Sequence, residues 1–159
     1  MLFALAEELD VPVGLHVGLG APDAAYSGGG YRMAHGNPLL LEDVLVRHPE
    51  LRLYVMHAGW PFLDELIGPL HAHRRVFIDI AVINWVLPRA EFHGYLRRIV
   101  EAGFGDRVIF GSDQMVARID RHRRGGRGVR GVPAEEQKRD IFCNNAARFL
   151  RLAGRPCQS

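Results

Sequence analysis

The sequence lacks most of the features that mark secreted, membrane or disulfide-rich proteins. It has 159 residues and only two cysteines, which are too few for a disulfide framework or a paired-cysteine metal motif. No apolar run approaches the length of about 18 residues that a membrane span needs. Glu7 and Glu8 stand where a signal peptide would be basic and then apolar. These absences predict a cytoplasmic chain with no membrane partner.

The length leaves no room for a second domain. Domains commonly contain about 150 residues, so residues 1–159 are predicted to form a single domain. A complete eight-stranded α/β barrel typically needs about 250 residues, which this chain does not have. With 48% apolar and 24% charged residues, the composition is typical of a globular core and excludes a disordered chain or a coiled coil.

Nucleotide-binding and serine-hydrolase motifs are also missing. The glycines at residues 18–22 lack the third glycine and the following helix of a dinucleotide-binding fingerprint. Ser112 lacks the G-x-S-x-G pattern that exposes a nucleophilic serine on a sharp turn. The sequence therefore indicates neither a dinucleotide cofactor nor a serine nucleophile.

Positive charge is concentrated in one segment. Residues 118–130 hold six arginines and one aspartate, whereas the net charge of the whole chain is only +2. This Arg/Gly-rich segment is interpreted as an insert or as replaced, out-of-register sequence, and it is expected to be a solvated loop. It has no interleaved aromatic residue, so the alternative of RNA or phosphate binding is not favoured.

Helices and strands are predicted to alternate along the chain. Strongly apolar runs predict buried strands at residues 11–17, 51–56, 76–80 and 108–110. Apolar residues recur at helical spacing in residues 2–9, 62–70 and 92–100. A final helical pattern covers residues 133–152, with a break expected near Asn144 because asparagine caps helices better than it continues them. Alternating units with short connections predict an α/β fold with parallel strands.

Polar residues at the ends of three predicted strands are candidates for chemistry. His16 stands near the end of the first strand, His57 ends the second and Asp113 ends the fourth. Ligand sites in parallel α/β folds lie beyond the carboxyl ends of the strands. Imidazole and carboxylate groups are also the usual ligands of a catalytic divalent metal. Their equivalent positions in successive units favour a functional site over a set of unrelated strand caps.

Other residues have a functional and a structural interpretation that the sequence leaves open. The long connection of residues 18–37 contains Tyr31 and predicts either a substrate loop or a flexible surface loop. Asp79 is either a pocket residue or a buried, paired carboxylate. Trp60 and Trp85 follow strand ends and either shape an aromatic pocket or simply pack.

Several sequence blocks together resemble a known enzyme family. They are G-L-H-V-G, H-P-E-L-R-L-Y-V-M-H-A-G-W-P, V-F-I-D-I, D-R-V-I-F-G-S-D and E-E-Q-K-R-D-I-F-C-N-N-A-A-R-F-L. In series they resemble the second half of an amidohydrolase-related metal-dependent hydrolase, in the branch of the aminocarboxymuconate-semialdehyde and resorcylate type decarboxylases. The resemblance covers residues 1–152 apart from the segment after Asp113.

The resemblance implies a partial TIM-like barrel, about strands five to eight, and a divalent metal, zinc or alternatively manganese. His16 matches the ligand histidine of the fifth strand. Asp113 matches the eighth-strand aspartate, which binds the metal and handles the proton of its bound water. His57 matches the sixth-strand histidine, which faces the substrate in acid-base chemistry. We expect Trp60, Tyr31 and Asp79 to contact a small-molecule substrate.

The sequence departs from the family pattern because the first strand, with its H-x-H or E-x-H ligand pair, is not present. We therefore expect a metal-dependent hydrolase or non-oxidative decarboxylase of a small carboxylated or carbonyl substrate, impaired by the missing ligands. The alternative is an inactive half-barrel that acts as an oligomerising or interaction module. The open edges of a partial barrel predict either a homo-oligomer or association with a missing N-terminal half.

Overall fold

The computed structural model describes residues 1–28, 30–113 and 135–152. In these residues the strands are β1 (Val13–His16), β2 (Leu53–Met56), β3 (Val76–Asp79) and β4 (Val108–Ile109). They form a parallel sheet in the order β1-β2-β3-β4. Each strand lies inside a predicted apolar run but is shorter than it. The α/β class is thus confirmed.

The helices lie between and after these strands. They are α1 (Leu2–Glu8), α2 (Glu42–Arg47), α3 (Leu63–Ala72), α4 (Ile83–Val86), α5 (Arg89–Ile99), α6 (Glu135–Arg139) and α7 (Asn145–Leu150). Short 3-10 turns cover Met33–Gly36, Pro38–Leu41, His57–Gly59 and Gly105–Arg107. The helices predicted at residues 2–9, 62–70 and 92–100 are confirmed as α1, α3 and α5.

The described residues divide into two compact units, with the boundary between Ile78 and Asp79. In the first unit the parallel register aligns Val13 with Leu53 and Leu53 with Val76. The side chains of Leu53, Val55, Leu66 and Leu70 are fully buried, so β2 and α3 supply the centre of this core. Burial of a leucine-sized side chain contributes about 1.5–3 kcal/mol.

The second unit is built around β4 and α5. The Ile80 amide donates to the carbonyl of Ile109, and the Phe110 amide donates to the carbonyl of Ile141. Fully or almost fully buried side chains fill this core: Ile80, Ile83, Phe92, Leu96, Ile99, Val108 and Ile141. The apolar face of α5 that the helical spacing predicts is therefore the face that packs inward.

The predicted interruption near Asn144 is present, but its cause differs from the expectation. A π-type turn at Asp140–Asn144 separates α6 from α7, and Asn144 makes no capping hydrogen bond with its side chain. The next residue, Asn145, is completely buried, and its amide donates to the carbonyls of Gly105 at 3.0 Å and Val108 at 2.7 Å. A tertiary contact of Asn145 therefore accompanies the break, rather than a cap at Asn144.

Other expectations lie partly outside the described residues. The Arg/Gly-rich segment at residues 118–130 lies wholly outside them. The single-domain organisation stays a prediction. Within residues 1–28, 30–113 and 135–152, none of the helices has the length and apolar character needed to cross a membrane. The cytoplasmic location stays a prediction.

Candidate active site

Two of the predicted site histidines lie side by side in the first unit. His16 is the last residue of β1, and the parallel register pairs it with Met56, so His57 follows directly beyond. The centroids of the two imidazole rings are 4.8 Å apart, and the rings meet edge to face at 77°. His16 is exposed, whereas His57 is only 6% exposed. Adjacent parallel strands therefore bring two imidazoles together at their carboxyl ends.

The backbone at His57 adopts an unusual conformation. His57, Ala58 and Gly59 have φ angles of 59°, 46° and 62°. The left-handed region costs a non-glycine residue about 1–2 kcal/mol because Cβ approaches the carbonyl oxygen. Such residues persist only where the surroundings hold them, and they cluster at functional sites. The turn after β2 is therefore a strained element that sets the direction of the His57 side chain.

The connection at residues 18–37 packs against this turn at its base. The Gly18 amide donates to the carbonyl of Gly36 at 2.8 Å, and the Tyr31 hydroxyl donates to the carbonyl of Gly18. A Cβ atom at Gly18 would overlap the carbonyl oxygen of Trp60, and the φ of Gly18 is +88°. The close approach therefore requires glycine, and it brings the predicted residues Tyr31 and Trp60 to the same region as His57.

Tyr31 and Trp60 differ in how they are used. The Tyr31 hydroxyl donates to the Gly18 carbonyl. The Tyr31 ring lines an open cleft within the connection, together with Gly20, Tyr26 and Arg32. Trp60 is half-buried directly after the strained turn. Both side chains thus retain partly accessible aromatic surface close to the backbone that carries the histidines.

The two predicted aspartates lie in the second unit. Asp79 ends β3 and is 8% exposed, and its Oδ1 accepts a hydrogen bond from the Ala81 amide at 3.0 Å. The Asp79 carboxylate therefore caps the turn that follows its strand. Asp113 lies beyond β4, is exposed and has a φ of 45°. It is a second polar residue at a strand end that adopts a left-handed conformation.

Sequence reasoning missed Asn84 as part of this arrangement and considered Trp85 only as a pocket or packing residue. Asn84 Nδ2 donates to the Gly111 carbonyl at 3.2 Å, and Trp85 Nε1 donates to the Ser112 carbonyl at 3.2 Å. Both accepting residues directly precede Asp113. A polar asparagine inside the apolar run I-A-V-I-N-W was the available signal.

The donor set of the first unit offers part of a metal site. A neutral imidazole binds zinc or manganese through one ring nitrogen, so the exposed ring of His16 has suitable chemistry. A catalytic zinc site, however, normally has three protein ligands. Within the described residues, no three His, Cys, Asp or Glu side chains gather into a group that holds a metal ion. His16 therefore fits one ligand position, and the donors of the first unit do not complete a metal site.

The chain resembles solved structures over almost its whole length. One is an uncharacterised TIM-barrel protein from Bordetella bronchiseptica, with 22% identity, a TM-score of 0.72, and coverage of 97% of this chain and 50% of that chain. A 2,6-dihydroxybenzoate decarboxylase from Rhizobium has 18% identity, a TM-score of 0.64, and coverage of 95% and 54%. A dihydroxybenzoic acid decarboxylase from Polaromonas sp. JS666, with bound manganese and the inhibitor 2-nitroresorcinol, has 16% identity, a TM-score of 0.65, and coverage of 96% and 53%.

These likenesses concern the fold. The chain spans about half the length of the solved structures just described. Because one of them is a TIM-barrel protein, the prediction of a partial TIM-like barrel is confirmed. No curated protein sequence matches the chain significantly. The sequence profile of the amidohydrolase family, in contrast, matches residues 1–152. The match covers nearly all of the chain and confirms the resemblance seen in its strand-end motifs, so the chain belongs to the amidohydrolase family.

Proposed function

We propose that this chain contributes His16, His57 and Asp113 to a metal-dependent hydrolase or non-oxidative decarboxylase that acts on a small carboxylated or carbonyl substrate. The observation that carries the proposal is the contact between the His16 and His57 imidazoles, 4.8 Å between centroids, at the ends of β1 and β2. Membership of the amidohydrolase family supports metal-dependent chemistry. The decarboxylases among the similar folds support an aromatic carboxylic acid as the substrate class.

We assign the metal-ligand role to His16 and Asp113. The His16 ring is exposed at the end of β1, and Asp113 is exposed beyond β4, so both side chains are accessible to an ion. A divalent ion supplies Lewis-acid polarisation and lowers the pKa of a bound water towards about 7. We propose zinc as the ion. Manganese is the alternative, and the manganese in the similar Polaromonas decarboxylase supports it.

The proton chemistry is assigned to His57 and Asp113. His57 is buried beside the His16 ring, in a turn whose backbone is held in the left-handed region. A fixed imidazole of this kind donates a proton or a hydrogen bond to a substrate carbonyl or carboxylate. In a hydrolysis, the Asp113 carboxylate would accept the proton that the attacking water loses. In a decarboxylation, one proton must reach the carbon that loses CO2, and His57 is the donor we assign to that step.

The substrate contacts are assigned to the aromatic surface near the histidines and to Asp79. Since the Tyr31 hydroxyl is occupied by the Gly18 carbonyl, Tyr31 offers its ring, and Trp60 offers a half-buried ring beside the strained turn. Flat aromatic walls suit a planar acid. Asp79, whose carboxylate accepts a hydrogen bond from the Ala81 amide, is the third substrate contact that we assign.

The proposal predicts weak metal binding and little turnover by the 159-residue chain. The described residues hold no three-donor group, and each missing ligand is replaced by water, which binds the ion less tightly. Mixing the chain with a separately expressed first half of a related enzyme should raise turnover, since the added half carries the H-x-H pair. Ordinary turnover of an aromatic acid by the chain alone, with stoichiometric zinc after dialysis, would contradict this expectation.

The ligand assignment is tested by titrating Mn²⁺ and following the free ion by electron paramagnetic resonance. His16→Ala and Asp113→Ala should each weaken binding about tenfold or abolish it. His71→Ala is the matched control, because His71 is an exposed histidine on α3, and it should bind like the unmodified chain. Equal affinity in His16→Ala, Asp113→Ala and the unmodified chain would overturn the assignment.

A further inference from the structure

The short helix α4 contacts the chain segment that leads to Asp113. Two consecutive side chains of α4 donate to two consecutive backbone carbonyls: Asn84 Nδ2 to Gly111 and Trp85 Nε1 to Ser112, each at 3.2 Å. The helix begins directly after Val82, whose φ is 62°. A left-handed residue at this point turns the chain sharply out of β3. The turn therefore places α4 where both side chains reach the end of β4.

The burial of the Asn84 side chain lowers the stability of the fold. The side chain is buried, with 8% of the residue exposed, and its Oδ1 has no hydrogen-bond partner in the described part of the chain. A buried acceptor without a partner lowers stability, and a leucine of similar volume would avoid that loss. Positions that break a packing rule in this way are expected at functional sites. The Asn84 amide gains a hydrogen bond to the Gly111 carbonyl at this position.

The segment that receives these hydrogen bonds is closely packed. A Cβ atom at Gly111 would lie 3.0 Å from the Ala81 Cβ and 3.6 Å from the Asp79 Cγ, so the Gly111 backbone lies directly against the end of β3. Two residues later, Asp113 has a left-handed φ of 45°. A non-glycine residue holds that conformation only when its neighbours are fixed. The carbonyls of the two preceding residues are the atoms that Asn84 and Trp85 bind.

We propose that Asn84 and Trp85 are positioning residues, which hold residues 111–112 and thereby set the direction in which Asp113 presents its carboxylate. This inference rests on the proposed function in so far as that function assigns Asp113 to the metal. Neither residue touches the ion or the substrate in this proposal. In this proposal, Trp85 acts through its hydrogen bond to the Ser112 carbonyl rather than by shaping an aromatic pocket.

The test compares variants of the full chain by local hydrogen exchange and by Mn²⁺ titration. Asn84→Asp keeps the side-chain size but cannot donate from a carboxylate, Asn84→Leu removes both polar atoms, and Trp85→Phe removes only the indole donor. Amide exchange at residues 111–113, measured by mass spectrometry, should become about tenfold faster in these variants. Mn²⁺ affinity should fall several-fold in the same variants.

Asn145→Leu is the matched control. Asn145 is also a buried asparagine that donates to two carbonyls, but those carbonyls belong to Gly105 and Val108, before and at the start of β4. This variant should lower Tm without a selective change at residues 111–113 and without a change in Mn²⁺ affinity beyond about twofold. Unchanged exchange at residues 111–113 in Asn84→Asp and Trp85→Phe would overturn the inference. The same selective change in Asn145→Leu would overturn it too.

The two readouts separate this inference from the proposed function. If the unmodified chain binds no Mn²⁺ and His16→Ala changes nothing, the metal assignment fails. The exchange rates at residues 111–113 then still decide whether Asn84 and Trp85 hold the segment. If Mn²⁺ binds and depends on Asp113 while the Asn84 and Trp85 variants bind normally, the metal assignment stands and the positioning role is wrong.

Discussion

Four of the seven non-glycine residues with positive φ in the described part of the chain lie where the chain leaves a strand. His57 and Ala58 follow β2, Val82 follows β3 and Asp113 follows β4. Each position costs conformational energy that the surrounding packing must offset. Since His57 and Asp113 are also the residues with assigned chemistry, the strain coincides with the candidate site. Glycines with positive φ that pack against the candidate site are constrained by their surroundings in the same way.

Substitution at Gly18 is predicted to be far more destabilising than substitution at Gly28. Both glycines have positive φ, but a Cβ at Gly18 would overlap backbone of Gly59 and Trp60, whereas Gly28 has open space around it. Gly18→Ala should lower the free energy of unfolding by about 3 kcal/mol or more, and Gly28→Ala by about 1 kcal/mol. Urea unfolding measures both, and equal losses would contradict the close approach at Gly18.

Glu7 is predicted to make stability depend on pH. A hydrogen bond with the His48 ring at 2.8 Å and another from the Glu50 amide hold the pKa of the Glu7 carboxyl below its ordinary value. Because the folded chain favours the carboxylate, this contribution is present above the ordinary pKa of 4.5 and is lost as pH falls through the lowered value.

Urea unfolding between about pH 3 and pH 6 tests this effect. Glu7→Gln should flatten the acid side of the stability profile, since glutamine carries no charge to lose. Glu8→Gln serves as the control because Glu8 is an exposed neighbour on α1, and it should leave the profile as it is. A profile that Glu7→Gln does not change would show that the Glu7 contacts do not contribute to stability.

At the scale of elements, the pair Asn144 and Asn145 shows how two identical neighbours take different roles. Asn144 is half-buried and donates to the Asp140 carboxylate at 2.7 Å within the same helical segment. Asn145 is completely buried and connects the start of α7 to the carbonyls of Gly105 and Val108. Asn145 thus links the start of α7 directly to the backbone before and at the start of β4.

Asn145→Ala is accordingly predicted to cost about 2–3 kcal/mol of unfolding free energy, because two carbonyls lose their donor in a buried position. Asn144→Ala should cost less than about 1 kcal/mol, since its partner is accessible to water. Thermal unfolding followed by circular dichroism measures both variants. A larger loss for Asn144→Ala would reverse the roles inferred for the two residues.

At the scale of the whole molecule, the open surfaces predict self-association. In the described residues β1 lies at the edge of the sheet, and α1 and the residue after it expose Leu2, Leu5 and Leu9. Unpaired strand edges and apolar helix surfaces promote pairing with another chain. Light scattering at micromolar concentrations should therefore show a mass that rises with concentration. The variant Leu2→Glu/Leu5→Glu should lower that mass, whereas a concentration-independent monomer would contradict the prediction.

The sequence by itself determined the α/β class, the positions of the strands and the polar residues at their ends. Buried parallel strands read as short, continuous apolar runs, and helices read as a 3.6-residue period, so both signals are local. His16, His57 and Asp113 were recognisable because each lies at or shortly after the end of such a run. The strand-end motifs in series were also sufficient to indicate the amidohydrolase family.

Only the tertiary structure decided which of these residues meet. The contact between the His16 and His57 rings follows from the register that pairs His16 with Met56, 40 positions further along the chain. Asn84 and Asn145 owe their roles to carbonyls 27 to 40 residues away. An asparagine amide bonds any suitably placed carbonyl, and that placement is set by how strands and helices pack. Local sequence signals therefore predicted the elements, while non-local hydrogen bonds determined the geometry of the candidate site.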